Sequence, residues 1–179
     1  MGNIDKIATV SCFGVANATA VVIGKRIGER AHPNEIYSLG VSLALTALLC
    51  GAAVSVILVI LLPTLFIPVL YPLFSLSAQA THIATIMCII YMCLLPLRSF
   101  DATIIVGILR SGGDTTAATI LDIIPLCVVS IPMMALLALV LDTPIPLICL
   151  AAQSENMIKW PLTIWRLRSR KWINDVTVS

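Results

Sequence analysis

Charge is what this chain has least of. Asp, Glu, Lys and Arg make up 11% of its 179 residues, against about 25% in a soluble domain. Between Glu35 and Arg98 there is none at all. No water-facing surface is built from so long an uncharged run. A soluble fold is therefore excluded, and the chain reads as an all-α integral membrane protein. The groups that carry metal and nucleophile chemistry are equally sparse. His32 and His82 stand apart, and Cys12, Cys50, Cys88, Cys93, Cys127 and Cys149 sit singly in apolar runs with no C-x-x-C pair. They read as small apolar residues of membrane helices, so no disulfide, metal site or cofactor is expected. No His/Glu zinc spacing and no serine elbow occurs. The Gly-x-Gly-Asp of an intramembrane aspartyl protease is not matched by Ser111-Gly112-Gly113-Asp114, which falls in a loop. The chain is not expected to be an enzyme, and no nucleic-acid partner is expected. The start MGNIDKIATV has no basic n-region and no A-x-A site follows the first apolar run, so no signal peptide is expected either.

What is present is apolar length: 59% of the residues are hydrophobic and the mean hydropathy is +1.05. Five spans are expected, at about 7–23, 39–62, 83–109, 117–141 and 145–165, followed by a basic tail over 166–179. The first is the shortest, spanning roughly 26 Å of a ~30 Å hydrocarbon core. It carries a small, polar stripe of Ser11, Gly14, Asn17 and Ala18, which reads as its packing face, with Asn17 needing a partner on a neighbouring helix or serving a ligand. Gly24 to Pro33 reads as a basic loop, and Gly24-x-x-x-Gly28 as loop chemistry. In the second span Ala47, Gly51 and Ser55 fall four apart and form a close-packing face. Pro63, Pro68 and Pro72 end it, and Tyr71 with Ser75 to His82 marks the far interface.

The third and fourth spans meet at IIVGILRSGGDTT, Ile104 to Thr116, which reads as a tight helical hairpin. Arg110 offsets the negative end of the incoming helix. Asp114, Thr115 and Thr116 are N-cap types for the outgoing one. Gly112 and Gly113 supply the positive φ of a short reversal. Lys25, Arg26 and Arg30 lie after span one, Arg110 after span three, and Arg166, Arg168, Arg170 and Lys171 in the tail, whereas the loops after spans two and four have no basic residue. The positive-inside rule puts those three segments, the C-terminus included, in the cytoplasm. Five spans then leave the N-terminus outside. With Lys6 there and no signal, at least one further helix is expected upstream.

Five charges fall inside spans. Arg98 and Asp101 are three apart on one helix face, and Arg98 lies about 18 Å from Arg110 along the helix. Glu155 and Lys159 are four apart in the favourable order for a helical ion pair. Asp122 stands alone, about two turns into its helix. Charges at such depth cost about 2.5–3.5 kcal/mol each on insertion scales, and by default they mark an ion or substrate route; interhelical clamps are the structural alternative. Pro96, Pro125, Pro132 and Pro161 free carbonyls and permit bends within the spans. Bending helices with buried charges suit an alternating-access carrier.

Four stretches resemble the multidrug and toxic compound extrusion (MATE) family. They are LPLRSFDATIIVGILRSGGDT, ANATAVVIGKRIGER, the polar Ser75–His82 segment before a long helix, and SENMIKWPLTIWRLRSRKW. Their order and spacing carry the resemblance across nearly the whole chain. It implies the last five helices of the second six-helix lobe of a twelve-helix transporter in the plasma membrane. Such transporters exchange cationic or amphipathic compounds for Na+ or H+ across a path between the lobes. The first lobe and one helix of the second lie outside this chain, so the fragment alone is not expected to transport. On the resemblance, Arg98, Asp101 and Asp122 face or support the lobe interior, and Arg110, Gly112, Gly113 and Asp114 form a structural cytoplasmic turn. The rival reading is a small membrane scaffold or split-transporter subunit without transport of its own.

Overall fold

The computed structural model describes residues 2–63, 78–139 and 143–173, and every regular element among them is helical. In chain order they are α1 (Gly2–Gly28), α2 (Pro33–Leu61) and α3 (Ala78–Ala102, continued as a π-helical stretch Thr103–Leu109). Then come α4 (Thr115–Pro125, π-helical Leu126–Ser130, Ile131–Leu139), α5 (Ile145–Ala152) and α6 (Ser154–Arg168). Four stretches, Thr9–Gly28, Pro33–Leu61, Thr81–Leu109 and Thr115–Leu139, are long and apolar enough to cross a membrane. The expected fifth span over 145–165 is divided instead. Pro144 starts α5, and the chain turns at Gln153 before α6 begins. The expectations on Pro68, Pro72, Tyr71, Ser75 to Ser77, Asp142 and residues 174–179 lie outside the described residues. Ala78 to His82, expected at an interface loop, are helical.

α3 is the centre of the bundle. It packs along α2, against α1 through its π-helical stretch, and touches α4, α5 and α6 on its other side. The residues that let it do so are small. Gly40, Ala44, Ala47, Gly51 and Ser55 form the buried stripe of α2, as the four-residue spacing implied. A Cβ on Gly51 would stand 2.8 Å from Ser99 Cβ and 2.9 Å from Pro96 Cα. Pro96 has no N–H for the carbonyl of Met92 one turn earlier. The Ser55 hydroxyl donates to that carbonyl across the helix interface, so the proline's cost is met by the neighbouring helix. Gly51→Val is expected to force α2 from α3 and lower the thermal midpoint of the purified protein by several degrees, an overpacking cost of about 1–3 kcal/mol. An unchanged midpoint would refute this packing.

α1 corrects the expectation made for it. The stripe Ser11, Gly14, Asn17 and Ala18 is exposed, and the opposite face, Cys12, Ala16, Thr19, Ile23 and Ile27, is buried. Thr19 and Ala16 meet Gly107, so the contact is set by the partner's glycine rather than by glycines of α1. The expected Gly24–Gly28 loop is also helical. The helix runs to Gly28, with Lys25 and Arg26 in its last turn pairing with Glu29 at 3.8 Å and 3.3 Å. His32 then caps α2, its Nδ1 accepting from the Asn34 N–H at 3.3 Å ahead of Pro33 in the first turn.

α4 changes its hydrogen-bond ladder beside its prolines. Pro125 and Pro132 each remove a donor to the carbonyl four residues back, and the wider π turn lies between them. Much of the outer face stays apolar and uncovered: Leu139 is 82% exposed, Val10 70% and Leu49 70%. Such a surface suits hydrocarbon and not water.

The three basic segments meet at one end of the bundle. Arg170, in the left-handed region at φ 56°, reverses the chain after α6. Its guanidinium donates to Asn34 Oδ1 at 2.6 Å and lies 4.5 Å over the Tyr37 ring. The reversal tucks Trp172 inside, fully buried beside Gly40 and Gly112, with its indole N–H donating to the Leu167 carbonyl at 3.0 Å. Trp172→Ala is expected to cost about 3–5 kcal/mol by emptying that site and to remove a buried fluorophore. A small midpoint shift in thermal unfolding would show that the tail is not a clasp.

Candidate functional site

All five charges within the spans line one cavity. It has a volume of about 310 Å³ and is walled by Arg98, Asp101, Asp122, Glu155 and Lys159, with Thr9, Cys12 and Phe13 of α1 and Asn156 of α6 completing it. Helical geometry brings them together from three elements. Arg98 and Asp101 are one turn apart on α3, Glu155 and Lys159 one turn apart on α6, and α4 presents Asp122 between them. Asn17 is not part of the site: it is exposed on the outward face of α1.

Asp122 is not alone. Lys159 Nζ stands 3.1 Å from Asp122 Oδ1 and 3.3 Å from Glu155 Oε1. The Lys159 side chain is only 8% exposed, so it turns into the bundle instead of reaching for the interface. Arg110 approaches Asp122 from outside at 3.8 Å, both side chains nearly half exposed. The sequence-level role of Arg110 as a partner of the helix dipole is thus joined by an ion pair with the next helix.

Asp101 is buried, 6% exposed, and the charges of Lys159, Asp122 and Glu155 and the hydroxyl of Thr163 act on it. Its Oδ1 has no hydrogen-bond partner among the described residues, nor has Glu155 Oε2. Ser99 Oγ and Thr103 Oγ1, on either side of Asp101, are also buried without partners. Buried polar atoms are nearly always satisfied, so the unsatisfied carboxylate oxygens of Asp101 and Glu155, both residues of the cavity lining, mark a place where a polar guest changes the balance.

The turn beside the site is built differently from its sequence-level reading. Only Gly113 has positive φ, at 88°. Gly112 is needed for space: a Cβ there would collide with the Trp172 carbonyl and indole ring. Asp114 stands at the N-cap of α4 but its side chain makes no capping bond. It accepts from Arg166 Nε at 2.6 Å, with the two side chains 10% and 21% exposed. A carboxylate otherwise spent on its own helix thus ties α6 to the hairpin. Asp114→Asn is expected to weaken this tie by about 1–2 kcal/mol, the worth of a charged hydrogen bond over a neutral one, lowering membrane expression while leaving the cavity intact. Expression at the wild-type level, measured by immunoblot, would count against it.

Trp172 and Gly107 were not singled out by sequence reasoning, and Arg166 was read only for the side of the membrane it lies on. No local pattern marks them, since each acts on a segment far away in the chain. No family model, no curated protein and no solved structure matches this chain.

Proposed function

We propose that this chain is part of a secondary active multidrug efflux transporter, working by cation/drug antiport through alternating access in the plasma membrane. The observation that supports the reading is the convergence of Arg98, Asp101, Asp122, Glu155 and Lys159 on one cavity within an otherwise apolar bundle. Buried charge of this kind is expensive. A scaffold needs at most paired clamps, whereas in this cavity Asp101 Oδ1 and Glu155 Oε2 have no hydrogen-bond partner among the described residues.

In this reading α5 and α6 together make the fifth crossing, and the C-terminus with its basic residues is cytoplasmic. The carboxylates take up Na+ or H+ on one side as a cationic or amphipathic compound leaves on the other. The π-helical turns of α3 and α4 are the places where the helices bend, because their ladders are already interrupted. A first lobe supplies the opposite wall of the path, and this chain alone does not transport. The experiment is accumulation of ethidium in cells carrying the chain in a complete twelve-helix context, before and after collapse of the ion gradients. Efflux that stops with the gradients supports the reading. Equal accumulation with and without the protein removes it and moves the non-transporting membrane scaffold ahead.

A further inference from the structure

We propose that Lys159 is a tethered counter-cation that sets the ion selectivity of the cavity: it occupies the place a metal cation would take between Asp122 and Glu155, and it leaves Asp101 to exchange a proton with water. The inference rests on the reading above in one respect, that the cavity is the ion site of a coupled carrier.

The geometry is specific. Glu155 and Lys159 share a face of α6 one turn apart, so their pairing at 3.3 Å is fixed by the helix. Asp122 reaches the same ammonium at 3.1 Å from α4. An ammonium has three donors and no acceptor, and two are directed at these carboxylates. A hard metal cation needs several oxygens converging on one point. Among the described residues no group of three or more His, Cys, Asp or Glu side chains converges in that way. The position between the carboxylates is filled by Lys159 Nζ itself.

The charge of the lining is uneven. Asp101, Asp122 and Glu155 face the cavity against Arg98 and Lys159. On its own helix Asp101 has Arg98. At the C-terminal end of that helix, beyond the lining, lies Arg110; from α4 comes Asp122, from α6 come Glu155, Lys159, Asn156 and Thr163, and from α1 come Thr9 and Cys12. Arg110, paired with Asp122, balances the third carboxylate from outside, so a further cation is not held by net charge, and a proton, unlike a metal ion, requires no coordination sphere. Asp101 Oδ1 is its place, because it is buried and has no donor among the described residues. The step is Asp101 carboxylate plus a water-borne proton giving the carboxylic acid, and it reverses when the cavity opens to the other side.

The test uses the full chain in lipid nanodiscs, with sodium chloride or choline chloride as the only salt. Infrared difference spectra follow the carbonyl band of a protonated carboxylic acid as pH is lowered. The expected result is a component of that band that titrates in wild type with the same midpoint in both salts and is missing in Asp101→Asn, where the components of the other carboxylates remain. In Lys159→Gln the emptied position admits sodium, and saturating sodium moves the midpoint at least one pH unit lower. A sodium-dependent midpoint of that component in wild type, its persistence in Asp101→Asn, or a folded Lys159→Gln as insensitive as wild type each overturns the proposal. Should Lys159→Gln not fold, Lys159→Arg keeps the charge: continued insensitivity supports the proposal and sodium sensitivity overturns it. No transport is measured, so these outcomes are separable from failure of the exporter reading. A sodium-sensitive wild type would leave that reading standing with a different ion.

Discussion

Gly107→Val is expected to prevent α1 from docking on α3. A Cβ at Gly107 would stand 2.8 Å from the Ala16 carbonyl oxygen and 3.0 Å from Thr19 Cβ. One of these atoms is backbone, and Ala16 and Thr19 are buried at 0% and 1% exposure, so no flexible side chain can swing away. Either α1 shifts as a body or the π-helical stretch rearranges. The cost is about 3 kcal/mol, at the upper end for overpacking, and the Ile23, Ile104 and Ile108 core beyond the contact is opened with it. Gly24→Ala is the control on the same face-to-face pair of helices, because a Cβ there meets nothing within 4 Å. It is expected to stabilise by up to about 1 kcal/mol through helix propensity. Thermal unfolding followed by circular dichroism separates the two. Equal effects of both substitutions would mean that backbone freedom, and not close approach, explains glycine in these helices.

Asp101→Asn is expected to abolish export in the complete context at a normal expression level. The substitution keeps size and shape and removes only the ability to hold a negative charge or exchange a proton. Asp101 is buried, its Oδ1 has no hydrogen-bond partner among the described residues, and it lines the cavity with Lys159. Loss of one carboxylate leaves Asp122 and Glu155 still paired to Lys159 at 3.1 Å and 3.3 Å, so the fold is expected to survive at a cost of about 1 kcal/mol, that of trading a charged for a neutral hydrogen bond with Thr163. Ethidium efflux and drug resistance are the readouts. Resistance at the wild-type level with equal protein in the membrane would dismiss Asp101 from the ion path.

Apolar length, charge depletion and proline position were enough to determine an all-helical chain with stretches long and apolar enough to cross a membrane, the second to fourth of these to within six residues, the close-packing stripe of α2 and the hairpin at Arg110 to Asp114. These are readable because each depends on residues close in the chain: lipid imposes a length, helical repeat imposes a face, and proline removes a known hydrogen bond. The buried charges were also legible one by one, since charge in an apolar run has few explanations.

Only the tertiary structure decided which of them meet. Asp122 looked solitary because its partners, Lys159 and Arg110, arrive from other parts of the chain. Asp114 looked like a cap because the N-cap position is local, whereas Arg166, fifty-two residues on, is not. Asn17 looked like a buried polar group because its stripe is small and polar. The face that packs is the one that fits Gly107, and that fit is a property of two helices together. Gly112 has the same lesson in reverse: the turn needs positive φ at Gly113 alone, and the second glycine is there for the ring of Trp172. Local rules fix what a segment is in lipid, while the shape of its neighbour fixes which side it shows.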